Sequence, residues 1–85
     1  MAFKGTQTIA IEFDNGLHLK LKSIEKLLCS GEQTLLGIVK GRRNSPELLD
    51  ENKLRIISRM KELYMPNKRI LVLIMLERVT IDVSL

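Results

Sequence analysis

Hydrophobic and polar residues alternate strictly in two short segments near the start of the chain. Residues 8–13 and residues 17–22 each place apolar side chains at every second position, which is typical of a β-strand with one buried face. The Asp, Asn and Gly at residues 14–16 are turn-forming residues. A three-residue loop pairs Phe13 with Leu17 and brings the apolar side chains onto one face. The pattern therefore predicts an N-terminal β-hairpin.

Residues 23–39 have two interpretations. Residues 23–29 can form a short helix with Ser23 at its N-cap, or they can prolong the second strand through a bulge. In the second interpretation the chain turns at residues 30–32, and residues 33–39 form a third strand. We prefer this extension of the hairpin into a meander and keep the short helix as the alternative.

The most regular helical pattern covers about residues 46–64. Ser45 and Pro46 suit the start of a helix, and Pro66 marks the end of the pattern. The apolar residues between them recur at helical spacing and form one stripe, which contains Leu49, Ile56, Met60, Leu63 and Tyr64. The pattern therefore predicts one long amphipathic helix.

The last part of the chain predicts two strands. Residues 69–76 are apolar on both faces, as expected for a central strand that is covered on both sides. Residues 79–85 alternate again and predict a half-exposed strand. Together the patterns indicate an α+β fold with an N-terminal β-hairpin or meander, one long amphipathic helix and a C-terminal strand pair. Because 85 residues suffice for one hydrophobic core, we expect residues 1–85 to form a single domain.

The composition excludes several kinds of site. Cys29 is the only cysteine and His18 is the only histidine, so the chain can form neither an internal disulfide nor a Cys/His zinc site. We predict no metal and no cofactor. The carboxylates form no convincing pair for acid–base chemistry, and no histidine partner for Cys29 is evident. We therefore predict that the protein is not an enzyme.

Three features bear on location. Residues 1–5 lack the apolar segment of a signal peptide, and the lone thiol suits a reducing compartment. The longest apolar run, residues 70–76, is too short to span a bilayer. We therefore expect a cytoplasmic protein that does not associate with membranes.

The net charge of +4 points to an anionic partner such as DNA or RNA. The positive residues are most concentrated at residues 40–43, directly before the long helix. Cations there oppose the helix dipole, and a bound phosphate would compensate them, although acidic residues such as Glu47 could do the same. The other candidates lie on the predicted second strand and just after the helix. The candidate nucleic-acid-binding residues are Lys40, Arg42, Arg43, Lys20, Lys22 and Lys68.

A second set of candidate residues is apolar. Leu48 and Leu54 fall outside the apolar stripe of the long helix, and the terminal strands carry more apolar surface than a small monomer easily covers. A homodimer or another protein partner would cover this surface. The candidate interface residues are Leu48, Leu54, Val79, Ile81 and Val83.

Two functions follow from these patterns. The first is a small, dimeric regulatory protein that binds nucleic acid through phosphates. The chain has too few aromatic residues for a base-stacking platform, so the basic loop at the helix start would make the contacts. The alternative is a non-enzymatic protein-interaction module, such as an adaptor, an inhibitor or a subunit of a larger assembly, including one derived from a phage or a plasmid.

Overall fold

Three neighbouring strands of this protein run parallel, and each connection between them contains a helix. The structure, a computed structural model, describes residues 8–85. Its elements follow in the order β1 (Ile9–Asp14), α1 (Leu21–Leu28), β2 (Thr34–Val39), α2 (Glu47–Glu62), β3 (Arg69–Ile74) and β4 (Val79–Ser84). The predicted α+β class, the long helix and the C-terminal strand pair are confirmed.

The strands form one sheet in the order β1-β2-β3-β4. The pairs β1–β2 and β2–β3 are parallel, and β3–β4 is antiparallel. In one row across the parallel strands, Phe13 lies beside Ile38 and Ile38 lies beside Leu73. Because β1, β2 and β3 are adjacent in sequence order, both crossovers lead in the same direction, and the right-handed connection that is nearly universal for parallel strands places both helices on the same face of the sheet.

The predicted N-terminal hairpin does not form. Phe13 pairs with β2 in parallel register and not with Leu17. Residues 17–20 belong to a loop, and the next element is α1, so the alternative interpretation of a short helix is the one that the structure shows. It begins at Leu21, before the proposed cap at Ser23, and no side chain caps it.

Residues 21–28 form a helix and not a strand because of the spacing of their apolar residues. Ile24, Leu27 and Leu28 lie on one face of α1 at helical spacing, and all three are buried. The preceding alternation at residues 17–22 is too short to outweigh this burial, since strand propensity depends strongly on packing. Lys20 and Lys22 consequently lie at the start of a helix and not on the polar face of a strand.

One hydrophobic core fills the space between both helices and one face of the sheet. The sheet contributes alternate residues, including Leu35 and Val39 on β2 and Ile70, Val72 and Ile74 on β3. The helices contribute residues from both crossovers, namely Ile24, Leu27, Leu28, Leu48, Ile56 and Met60. Both helices therefore cover the same face.

The apolar stripe of α2 differs from the predicted one at both ends. Leu48 is buried in the core, whereas Tyr64 lies beyond the end of the helix, has a φ of 56° and is exposed.

Val83 of β4 is also completely buried. Leu48 and Val83 are thus core residues, which corrects their assignment to an interface.

Strand β3 is central, as expected, but within residues 8–85 it is covered on one side only. Ile70, Val72 and Ile74 are completely buried beneath the helices. Leu71 and Leu73 point to the opposite face and are half-buried.

No helix of residues 8–85 is long and apolar enough to cross a membrane.

The close approach of β2 to the loop before α1 leads to a first prediction. A Cβ atom at Gly37 would lie 2.4 Å from Cδ1 of Leu19, which is completely buried, so a shift of this side chain would disturb the packing of the core. We expect Gly37→Ala to lower the free energy of unfolding by about 1–3 kcal/mol. Urea unfolding followed by circular dichroism measures this change.

Gly16→Ala is the matched control, because an added Cβ there meets nothing within 4 Å. We expect it to change the free energy of unfolding by less than about 0.5 kcal/mol. Equal stability of both variants and the wild type would contradict the close approach at Gly37.

Candidate interaction surfaces

The face of the sheet opposite the helices carries an apolar surface that is continuous over three strands. Alternation along each strand places every second side chain there. We call the following residues the open face: Ile9, Ile11 and Phe13 on β1, Leu36 and Ile38 on β2, and Leu71 and Leu73 on β3. The register aligns them in rows, with Ile11 beside Leu36 and Leu36 beside Leu71.

The open face is most accessible along β1. Ile9, Ile11 and Phe13 are 45%, 55% and 54% exposed, whereas the residues of β2 and β3 are half-buried between their neighbours. Strands with apolar residues on both faces are typical of parallel sheets that are covered on both sides. Residues 8–85 contain a cover for one side only. The sequence of the strands is therefore suited to a second covering layer.

Strand β4 gives this face of the sheet a polar margin. Its residues on this side are Thr80, Asp82 and Ser84. The guanidinium of Arg69 on β3 binds the carboxylate of Asp82, with Nε donating to Oδ1 at 3.0 Å and Nη2 contacting Oδ2. The hydrogen bond from Arg69 holds the pKa of the Asp82 carboxyl below its usual 3.8. The two charges thus neutralise each other beside the open face.

A second candidate surface lies at the edge of the sheet where the parallel strands end. Loops that follow β1, β2 and β3 meet there. The N–H of Gly41 donates to the carbonyl of Gly16 at 2.9 Å, and the N–H of Leu76 donates to the carbonyl of Lys40 at 3.0 Å. The two bonds hold the three loops together.

We call the cationic part of these loops and of the first turn of α1 the basic edge. It consists of Lys20, Lys22, Lys40, Arg42 and Arg43. Lys68 directly precedes β3 and therefore lies at the opposite edge of the sheet. The structure thus brings together all the candidate nucleic-acid-binding residues except Lys68.

A carboxylate of the chain itself, that of Glu77, already binds at the start of α2. The backbone N–H of Ser45 donates to Oε1 of Glu77 at 2.8 Å. Arg42 donates from Nε to Oγ of Ser45 at 2.9 Å, and its Nη2 lies 3.8 Å from Oε1 of Glu47. Carboxylates therefore supply part of the compensation that was expected from a phosphate. The ion pairs among residues 8–85 include none of Lys20, Lys22, Lys40 and Arg43.

The loop between β1 and α1 is held in place by Asn52 of α2, which is completely buried. Its Oδ1 accepts from the N–H of Leu19 at 3.0 Å. Its Nδ2 donates to the carbonyls of Leu48 at 2.8 Å and Leu17 at 3.2 Å. The candidate residues predicted from the sequence do not include Asn52. Its position four residues from both Leu48 and Ile56 places a polar side chain inside an apolar stripe, and that was the available signal.

The remaining candidate interface residues do not form one surface. Leu54 is 64% exposed on α2, on the side away from the core. Val79 and Ile81 are half-buried on the helix-covered face of β4, and Ile81 packs against the core.

In residues 8–85 no group of three or more His, Cys, Asp and Glu side chains could hold a metal ion.

The contacts of Asn52 lead to a second prediction. Asn52→Ala removes the partners of the Leu19 N–H and of the Leu17 carbonyl. We expect it to lower the free energy of unfolding by about 2–4 kcal/mol, because buried polar groups lose their hydrogen bonds. Urea unfolding measures the change, with the neighbouring exposed Lys53→Ala as the control. A loss below about 0.5 kcal/mol for Asn52→Ala would show that the loop does not depend on this side chain.

Comparisons of the chain with protein-family models, with curated proteins and with solved structures found no match. The open face and the basic edge are therefore the observations from which a function can be argued.

Proposed function

We propose that this protein is a non-enzymatic protein-interaction module that binds its partner through the open face. The observation that carries the proposal is the position of both helices on one side of a mostly parallel sheet. The other side is apolar over three adjacent strands, and Ile11 and Phe13 remain more than half exposed there. Continuous apolar surfaces of this kind mark interaction sites in soluble proteins.

The energetics of covering this face favour a protein partner. Burial of the exposed half of a large apolar side chain contributes roughly 1 kcal/mol, so Ile9, Ile11 and Phe13 together contribute several times that amount. The open face has no charged group of its own with which to bind a phosphate backbone. A flat apolar sheet instead suits a second sheet or a layer of helices, which can cover it at a spacing of about 10 Å.

Photo-crosslinking in cells that express the chain tests this proposal. With benzoylphenylalanine in place of Phe13, we expect a discrete cross-linked species that contains the chain and a second polypeptide. The same label in place of Leu21 is the control, because Leu21 is 50% exposed, close to the 54% of Phe13, but lies on α1, on the other side of the sheet. Absence of a discrete species at position 13, or identical species at both positions, would contradict the use of the open face.

The basic edge supports a second candidate function, which is binding of nucleic acid through phosphates. Lys20, Lys40 and Arg43 come from two different loops, share one edge and have no carboxylate partner among residues 8–85. Their charge is therefore available to attract phosphates. Because Glu77 binds the backbone at the start of α2, loop side chains rather than the helix terminus would make these contacts.

The salt dependence of binding tests the second function. Fluorescence anisotropy with labelled DNA and RNA should show affinity that falls steeply between about 50 and 200 mM salt. For duplex DNA, the double variant Lys40→Ala/Arg43→Ala should reduce the slope of log K against log salt by about 2, since each lost phosphate contact removes about 0.9. Lys68→Ala, at the opposite edge, should leave the slope unchanged. A folded sample that binds neither polymer at low salt would remove this function and leave the open face unaffected.

A further inference from the structure

We infer that the partner of the open face is a second copy of this chain, related by a twofold axis that runs along β2. This inference rests on the proposed function, because both use the open face, and it adds the identity of the partner and the arrangement of the two sheets. Three properties of the face support it: its apolar residues on both sides of β2, the distribution of its charges and its area.

The apolar residues lie on both sides of β2, three on β1 and two on β3, where Arg69 takes the third position. On one side lies β1 with Ile9, Ile11 and Phe13, and on the other lies β3 with Leu71 and Leu73. A twofold axis parallel to β2 places β2 on β2 and places β1 of each copy on β3 of the other. Ile11 and Phe13 then meet Leu71 and Leu73 of the other copy, as a twofold interface requires, and Ile9 meets the side chain of Arg69 at the end of the contact.

The same operation leaves the polar strand outside the contact. Since β4 is next to β3 at the edge of the sheet, it extends beyond β1 of the other copy. Thr80, Asp82 and Ser84 then remain in solvent, and the pair between Arg69 and Asp82 lies at the margin. Polar residues at the rim and apolar residues at the centre are the usual arrangement of protein interfaces.

The charged pair disfavours a twofold axis that runs across the strands, which would also stack the two sheets. An axis across the strands would place β4 on β4 and bring the two copies of Asp82 into one covered layer. Covering the Arg69–Asp82 pairs in this way would remove them from water, and the desolvation of a charged pair costs free energy. The paired charges of Arg69 and Asp82 also leave no net charge on the face that would select a charged partner.

The area is sufficient for a dimer of moderate affinity. Three strands of six residues form a rectangle of roughly 14 by 20 Å. The accessible surface is larger than this flat rectangle because the side chains protrude. Summed over both copies, the contact would bury on the order of 1,000 Å² of accessible surface, which is at the low end for specific interfaces. We therefore expect a dimer that dissociates on dilution. Pairing of two β1 edges would not serve instead, because it would leave the open face uncovered.

Sedimentation velocity of the full chain, from about 1 to 300 µM, tests the dimer. We expect the wild type to form dimers at the upper concentrations. Ile11→Lys should raise the dissociation constant at least about 100-fold, because a twofold dimer contains the change twice. Leu21→Lys is the matched control, since it makes the same apolar-to-lysine change at a 50% exposed site on α1, outside the open face, and it should dimerise like the wild type.

A wild type that stays monomeric over this range overturns the inference, as does an Ile11→Lys variant that dimerises normally or a Leu21→Lys variant that does not. If circular dichroism shows that Ile11→Lys is unfolded, Phe13→Lys replaces it at an equally exposed position. In the crosslinking experiment, a species that joins a different polypeptide at position 13 also overturns the dimer but retains the proposed function. Absence of any species there overturns both.

A mixture of two variants tests the axis. The row that contains Phe13 also contains Leu73, so an axis along β2 brings these two positions together between copies. Phe13→Lys and Leu73→Glu should each fail to dimerise alone, whereas an equal mixture should form a heterodimer through the new ion pair. Failure of the mixture to dimerise, together with a dimeric wild type, would overturn the axis along β2.

Discussion

Each helix of this protein connects two parallel strands, and this requirement decides which face of the sheet can be covered. A parallel connection has to cross over the sheet, and the handedness of the crossover fixes its side. Because β1, β2 and β3 are neighbours in sequence order, α1 and α2 lie on the same side. The well-packed core and the open face are two results of one connectivity. A further layer is needed if both faces of the strands are to be buried.

The elements with a strong local signal could be predicted from the sequence. The long helix has a start at Ser45-Pro46, an apolar stripe and a stop at Pro66, and β4 shows clear alternation. The parallel pairing of β1 with β2 could not be predicted in this way. It joins residues that are far apart in sequence, such as Phe13 and Ile38, whereas the short alternation at residues 17–22 suits a local hairpin equally well.

The candidate surfaces were predictable to different degrees. The excess of apolar residues in the strands indicated a partner, and residues 40–43 marked the basic edge, because both signals are local. The individual interface residues were harder to predict from the sequence. Leu48 was placed outside the helix stripe because Asn52, which continues that stripe, is polar in sequence but buried and hydrogen-bonded in the fold. Lys20 joins the basic edge only because β1 and β2 run parallel.

The bond between Asn52 and Leu19 also has a consequence for the order of events during synthesis. Its two residues are separated by 33 positions, and the carboxamide comes from the later one. While the ribosome has not yet delivered α2, the N–H of Leu19 has no such acceptor, and the loop between β1 and α1 lacks the bonds that fix it. Since Gly16 of that loop binds Gly41 in the next one, the basic edge is completed only after the second crossover has emerged. A nascent chain therefore exposes the apolar strands β1 and β2 before it has assembled its cationic edge.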